Sequence, residues 1–503
     1  MKKFGTLALY LLTHSFAISQ HSFEGIRESN YGGALSLPFN PAMIADNRYK
    51  LDFILAGANV SAYNNFMGLK NLSLTKMAFD TTYANSIDSA FIARNSVFKK
   101  GDNRRFYVNA DIQLLSFAFP ISNTAAIGFN WRVRSFVNLD GVTEDLANII
   151  YDEIKDSLNW NVQLNNENLS VQTMSYAEYA GTFAINVMDK GEHFMKLGAT
   201  LKLLQGLQAA YFYIDDLSYN FSNDTTLSLF KSDVNYGHSS NFEFDNESIR
   251  YKFVSNAGIG FDVGAVYEWR PDHKNYKYEM DGQDNLWRKD KNKYKLRIGA
   301  AITDVGRIKF QKGDISGDFT ADVSLWNLHQ FDTVNSVSGF DSVLRQKFQP
   351  LSGDKRDFMM NLPTAFCINI DYNIYKDFYI GHTSFVAMQF TNNRDKVHYY
   401  TNFNLVPRYD YKNIGVALPM SYSTLTGFRP GFSIRTPFLI IGTSDLRTFF
   451  KSSTKYGADI FVALKFNILN KHPKDKDEDK VSDKLDECKD IKGVWAFKGC
   501  ADT

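Results

Sequence analysis

No apolar run beyond the amino terminus reaches the roughly 20 residues that a helix needs to cross a bilayer, so any membrane residence must come from strands. Cysteine is scarce, and three in 503 residues exclude a disulfide-dense scaffold. Charge of one sign is missing too. The 56 basic residues meet 55 acidic ones, which removes the basic footprint of a nucleic-acid-binding protein. There is no Gly-x-Ser-x-Gly elbow, no His-Glu-x-x-His and no phosphate loop, and the nine histidines are scattered. No enzymatic activity is expected.

Aromatic side chains, by contrast, are abundant. Phe, Tyr and Trp make up 15% of the chain, yet charged residues reach 22% and mean hydropathy is −0.30. That mixture suits strands needing an apolar residue only at every second position. In residues 256–269, Ile259, Phe261, Val263, Ala265 and Tyr267 share one face, while Asp262, Glu268 and three glycines share the other. Ile127, Phe129, Trp131 and Val133 likewise oppose Asn130, Arg132 and Arg134. Leu197, Ala199 and Leu201 oppose Lys196 and Lys202; Leu296, Ile298 and Ala300 oppose Arg297. A soluble sandwich alternates as well, but here the polar faces carry full charges beside glycines and the apolar faces carry aromatics toward strand ends.

The expected fold is therefore all-β: a transmembrane antiparallel β-barrel of about 14 strands (roughly 12 to 16) over residues 51–470. Arg132, Arg134, Lys202, Asp262, Glu268 and Arg297 line or brace its polar lumen. Short connections at 120–123, 189–193, 375–377 and 407–410 alternate with long ones at 64–104, 139–173, 215–252 and 306–361, as in outer-membrane barrels. One connection, 271–291, is long where a turn is expected: a genuine excursion or a miscounted strand. Residues 144–158 carry a helical pattern (Leu146, Ile149, Ile150, Ile154, Leu158), read as an amphipathic helix packed within an external loop.

The amino terminus reads as a secretory signal over residues 1–19. Lys2 and Lys3 precede an apolar stretch at 4–16, and Ala17-Ile18-Ser19 offers small residues for cleavage before Gln20. The expected location is the bacterial outer membrane, with its lipids as surroundings and other envelope proteins as possible partners.

Gly32-Gly33, the triplet Asn40, Pro41 and Ala42, and a first strand at Leu51 resemble the amino-terminal region of FadL-type outer-membrane transporters and of related barrels in type IX secretion. The glycine-bearing segments 196–202, 258–264 and 296–299, and Thr303-Asp304-Val305-Gly306, carry the same resemblance. It implies that the segment before the first strand, within residues 20–50, folds into the lumen as a hatch. The alternative is a periplasmic lead-in in which Pro41 fixes a turn.

The tail, residues 471–503, resembles the thrombospondin type-3 calcium repeat found in OmpA-like proteins. Asp475, Asp477, Asp479, Asp483 and Asp486 would supply oxygens to Ca²⁺ on the periplasmic side, although Lys480 stands where such repeats carry glycine. A solvated linker without metal is the alternative. In an exported protein Cys488 and Cys500 should pair. The third cysteine, Cys367, falls on lumen-facing parity and is read as a packing residue.

Three functions compete. The first is a non-enzymatic barrel acting as a channel for small or hydrophobic solutes or as a platform for partner proteins. The second is a structural link to peptidoglycan through an OmpA-like domain beyond Thr503; the third is an outer-membrane hydrolase with a Ser/His/acid cluster near the external rim.

Overall fold

The period-two alternation resolves into one antiparallel sheet that closes on itself. The structure, a computed structural model, describes residues 23–101, 103–151, 160–245, 248–251, 255–313, 316–349, 351, 355–388, 397–450 and 453–501. The secretory signal lies outside these residues. Fourteen strands ring the barrel. They are β1 (Tyr49–Asn64), β2 (Arg104–Gln113 and Ser116–Pro120), β3 (Ala125–Val142), β4 (Leu164–Lys190), β5 (His193–Asn223), β6 (Ala257–Trp269) and β7 (Leu296–Gln311). The second half comprises β8 (Asp357–Asn361 and Ala365–Tyr375), β9 (Phe378–Ala387), β10 (Asn402–Tyr411), β11 (Ile414–Ala417 and Met420–Ser423), β12 (Gly427–Pro430 and Phe432–Arg435), β13 (Leu439–Thr443) and β14 (Gly457–Leu469). The ring closes where β14 pairs antiparallel with β1, Val60 opposite Ile460 and Phe53 opposite Phe466. No helix among the described residues is long and apolar enough to cross a membrane.

The alternation has the polarity expected of lipid outside and protein inside. Along β6, Ile259 is 64% exposed on the outward face, whereas Asp262 on the inward face is 1% exposed. Leu201, Leu203, Phe466 and Ile468 continue this apolar outer belt. In hydrocarbon no water satisfies a free backbone group, so only a closed ring of strands tolerates such a belt.

The end of the barrel that carries β1's start and β14's finish has short turns at 121–124, 191–192, 376–377, 412–413 and 436–438. The expected turn at 407–410 is not there, because those residues belong to β10. Pro407 sits in β10 where the facing ladder is interrupted at Leu418 and Pro419; its carbonyl still accepts from Leu418 N, and the chain reverses at Lys412, with φ 43°. The excursion at 271–291 is genuine and holds a small hairpin, Lys277–Met280 paired with Gln283–Trp287, around an Asp281–Gly282 turn with φ 53° and 71°.

At the opposite end the expected loop 215–252 is largely strand, and both ends of the expected loop 139–173 are strand as well. β4 and β5 run for 27 and 31 residues, far beyond the roughly 9–11 needed to span a bilayer. With the strands Thr226–His238 and Phe319–Asn327 they form a wall above the belt. Ile214, Tyr219, Phe319, Trp326 and Phe348 fill it, with α1 (Glu144–Tyr151) contributing Leu146 and Ile149 and α2 (Val337–Lys347) contributing Val343. The helical pattern thus appears over 144–151, packed within its loop, and residues 152–158 lie outside the described set.

An outward face immersed in hydrocarbon makes a direct prediction. Val263→Arg, at the middle of β6, should destabilise the barrel by about 2–4 kcal/mol in equilibrium unfolding from lipid vesicles. A change below about 0.5 kcal/mol would mean that this face meets water.

Candidate functional site

Inside the ring lies the amino-terminal segment. Residues 23–47 are buried almost throughout, and each end is tied to the wall. Asn40 caps a short turn of helix, Pro41–Ile44, by accepting from Ala42 N at 3.0 Å. Its amide then donates to the carbonyls of Ala265 on β6 and Ala300 on β7. The wall is made of glycine where this triplet touches it. A Cβ on Gly198 would lie 2.4 Å from Ala42 N, and one on Gly264 2.2 Å from Asn40 Oδ1. The scattered glycine segments noted in the sequence are therefore neighbours, forming one groove that receives Asn40, Pro41 and Ala42.

Ionic contacts hold the rest of the plug. Ala34 N donates to Asp52, and Asp52 pairs with Lys465, whose ammonium also donates to Tyr31 O. Glu24 accepts from Asn402 at 3.1 Å and Ser421 at 2.9 Å. Arg297 reaches Glu28 O and Asp371. At the plug's far end Asp46 is gripped by Arg270 and Lys293, 2.7 Å each, while Glu268 pairs with Arg270 and with Lys196.

Above the plug the wall charges form a lattice. Arg132 pairs with Glu178 at 2.6 Å and Asp111 at 3.0 Å; Arg134 pairs with Asp304 at 2.9 Å. Lys202, 1% exposed, sits between Asp262 at 2.7 Å and Asp304 at 2.5 Å. From the other end, residues 397–400 enter the lumen. Tyr399 OH bonds Asp304, His398 exchanges bonds with Asn138, and Tyr400 OH bonds Asp140. A cavity of about 30 Å³ separates plug residues Arg27 and Phe39 from Arg132, Asp304 and Tyr399, room for only a water or two. All six sequence-assigned lumen residues are thus inward and buried, but they brace a filled interior rather than line a wet one. Sequence reasoning did not find Glu178 or Asp46, placed Asp371 only on a polar strand face, and met Asp304 only within a glycine-bearing segment. Parity could have found Glu178, which alternates with Tyr179, Gly181 and Phe183; nothing local marks Asp46. Cys367 is inward and buried beside Thr303.

No hydrolase cluster stands at the rim among the described residues. Ser384 lies 2.7 Å from His382 Nε2, but the pair is at outward parity on β9, and Ile368, Ile370, Phe403 and Leu405 oppose it on both neighbouring strands. Among the described residues no carboxylate bonds this imidazole, and the two side chains satisfy each other on the outward face.

The tail forms a second site. Asp475, Asp477 and Asp479 each present an oxygen within 4.8 Å of the others. Both Asp477 oxygens, and Oδ2 of the buried Asp486, have no hydrogen-bond partner. Desolvation, then repulsion from Asp479 and Asp486, pushes the Asp477 carboxyl above its usual range. Asp483 points elsewhere, accepting from Lys476 N. Residues 475, 477, 479 and 486 fall at positions one, three, five and twelve of a loop, the spacing that surrounds a hard cation with oxygens. Lys480, at position six, adopts φ 69°, the left-handed backbone that glycine usually supplies. Cys488 and Cys500 are bonded.

The sequence model of the family described as "Family of unknown function (DUF5723)" matches residues 41–444. No curated protein matches the chain. Among solved structures it is similar to the toluene transporter TbuX of Ralstonia pickettii, with 10% identity and TM-score 0.40 over 89% of this chain and 98% of that one. It is similar to a FadL homologue of Pseudomonas aeruginosa at 9% identity and TM-score 0.43, over 90% and 99%. Outer membrane phospholipase A of Escherichia coli follows at 7% and 0.23, over 84% and 100%. Likeness at this level assigns no substrate.

Because Lys202 is the cation paired with Asp262, Lys202→Met should leave that buried carboxylate uncompensated and destabilise the barrel by about 3–5 kcal/mol. Urea unfolding in vesicles measures this, and a loss under about 1 kcal/mol would show that water reaches the lattice.

Proposed function

The chain belongs to DUF5723, a family of unknown function, and from the way its lumen is filled we propose that it is a non-enzymatic outer-membrane barrel, closed in its resting state, that serves as a platform for partner proteins. One observation carries this reading: the lumen is occupied from both ends, by residues 23–47 and by residues 397–400, with wall charges paired across what remains. An apolar solute would meet a lattice of buried ions, and passage would require the plug to leave its glycine groove. The folded cap built on β4 and β5 faces outward in this reading, and the tail lies in the periplasm.

Single-channel recording in planar bilayers tests the platform. The intact protein should show no unitary conductance, and removing residues 20–47 should leave it silent because Tyr399 and its lattice still close the other half. Steady conductance by the intact protein would replace the platform with a pore. Opening on truncation alone would make it a gated channel.

The tail adds a cation-binding role to the proposal. Asp475, Asp477, Asp479 and Asp486, with the Val481 carbonyl at position seven, would hold Ca²⁺, which supplies the positive charge that the shielded oxygens of Asp477 and Asp486 otherwise go without. Calorimetry on the full-length protein should register calcium binding that Asp477→Asn abolishes. Lys480→Gly should tighten it by roughly 1–2 kcal/mol, the strain released at that backbone. Affinity should fall as pH drops from neutral, since protons compete with the cation for the Asp477 carboxyl, which is raised. Unchanged affinity in Asp477→Asn would remove calcium from this loop.

A further inference from the structure

The hairpin Lys277–Trp287 interrupts an otherwise short-turned end of the barrel, and its contacts explain why it is there. Its tip meets the acidic loop of the tail. Asp281 N donates to Lys480 O at 2.9 Å, and the Asp281 carboxylate accepts from Ser482 N at 2.7 Å and Ser482 Oγ at 2.9 Å. These bonds straddle Val481, the residue whose carbonyl would reach the cation. Trp495 from the disulfide loop lies against Gly282, where an added Cβ would come within 2.5 Å of the indole. Behind the tip, His472 packs on Tyr278 with ring centroids 4.6 Å apart.

The root of the same excursion meets the plug. Arg270 precedes the hairpin and Lys293 follows it, and both hold Asp46. Arg48 donates to Lys291 O from the plug side. The tail itself sets out from this point, since Asn470 N donates to Arg48 O at 3.0 Å. Trp287 fixes the arm between the two, donating to Asp189 at 2.7 Å while the Arg270 guanidinium lies 5.0 Å from its ring.

We propose that this hairpin is a coupling arm through which a divalent cation in loop 475–486 tightens the hold on the carboxyl end of the luminal plug. The proposal rests on the cation reading given above. Without the ion, carboxylates crowded in one loop repel each other and the backbone of 480–482 loses the shape that fits Asp281. With it, the loop, the hairpin tip and its root form one braced unit ending on Asp46. Calcium then acts on the stability of the plug from outside the lumen, without touching it.

Hydrogen–deuterium exchange on the full-length protein in vesicles, read by mass spectrometry over residues 23–48 and 277–287, tests this alongside calcium calorimetry. In the wild type, chelation should speed exchange in both segments on the order of tenfold. Asp281→Gly keeps the turn geometry and all the acidic-loop carboxylates; it should still bind calcium yet show fast exchange over 23–48 in its presence, and Asp281→Asn should recover part of the protection. Calcium heat in the wild type with exchange over 23–48 indifferent both to chelator and to Asp281→Gly would overturn the coupling and leave the cation site standing. No calcium heat in the wild type would overturn the cation reading, and the coupling with it.

Discussion

Everything in this protein follows from the demand that no backbone hydrogen bond be left open in lipid. A sheet meets that demand only by joining its last strand to its first, which here happens between β14 and β1. Closure fixes an inside, and a ring of 14 strands encloses more space than its own side chains readily fill. The protein fills that space with residues 23–47 and 397–400.

Filling by polar chain brings charge indoors. Buried ions persist only when paired and hydrogen-bonded, and the lumen obeys this with Arg132, Arg134 and Lys202 distributed over Glu178, Asp262 and Asp304. The same rule governs the plug's ties to the wall, where Lys465 and Asp52 hold its middle and Arg270 and Lys293 hold Asp46 near its carboxyl end. Aromatic rings, Phe136 with Tyr176 and Tyr399 among them, occupy the half of the lumen away from the termini. The interior is thus a core of unusual composition rather than a passage.

How much of this could be read beforehand depends on the range of the signal. Alternation is local, so the strands, their outward faces and the parity of Arg132 or Asp262 were legible from single segments. The ends of β4 and β5 were not, because Asp215, Asp216 and the asparagines around 165–168 suggest loop where the sheet in fact continues into the cap. Pro407 misled for a related reason: a strand tolerates proline where its neighbour is interrupted, and the break at Leu418 and Pro419 lies in the partner strand. Partnership was the least visible level. The glycines of β5 and β6 were noticed as motifs, but that they share one groove with Asn40 is a property of the closed ring, as is the meeting of Asp281 with Lys480 and Ser482. The regular spacing of the aspartates at 475–486 is visible in the sequence, whereas the bond that Asp483 accepts from Lys476 N is visible only in the fold.

The trio of Tyr31, Asp52 and Lys465 has a consequence for assembly. It ties the amino-terminal segment to the first and the last strand at the line where the ring is sewn shut. A ring closed without residues 31–34 would bring Lys465 and Asp52 together without the Tyr31 carbonyl and the Ala34 amide that share their bonds. The pair that joins the first strand to the last is therefore complete only with the plug in place, and the closing of the wall and the filling of the interior share one set of bonds.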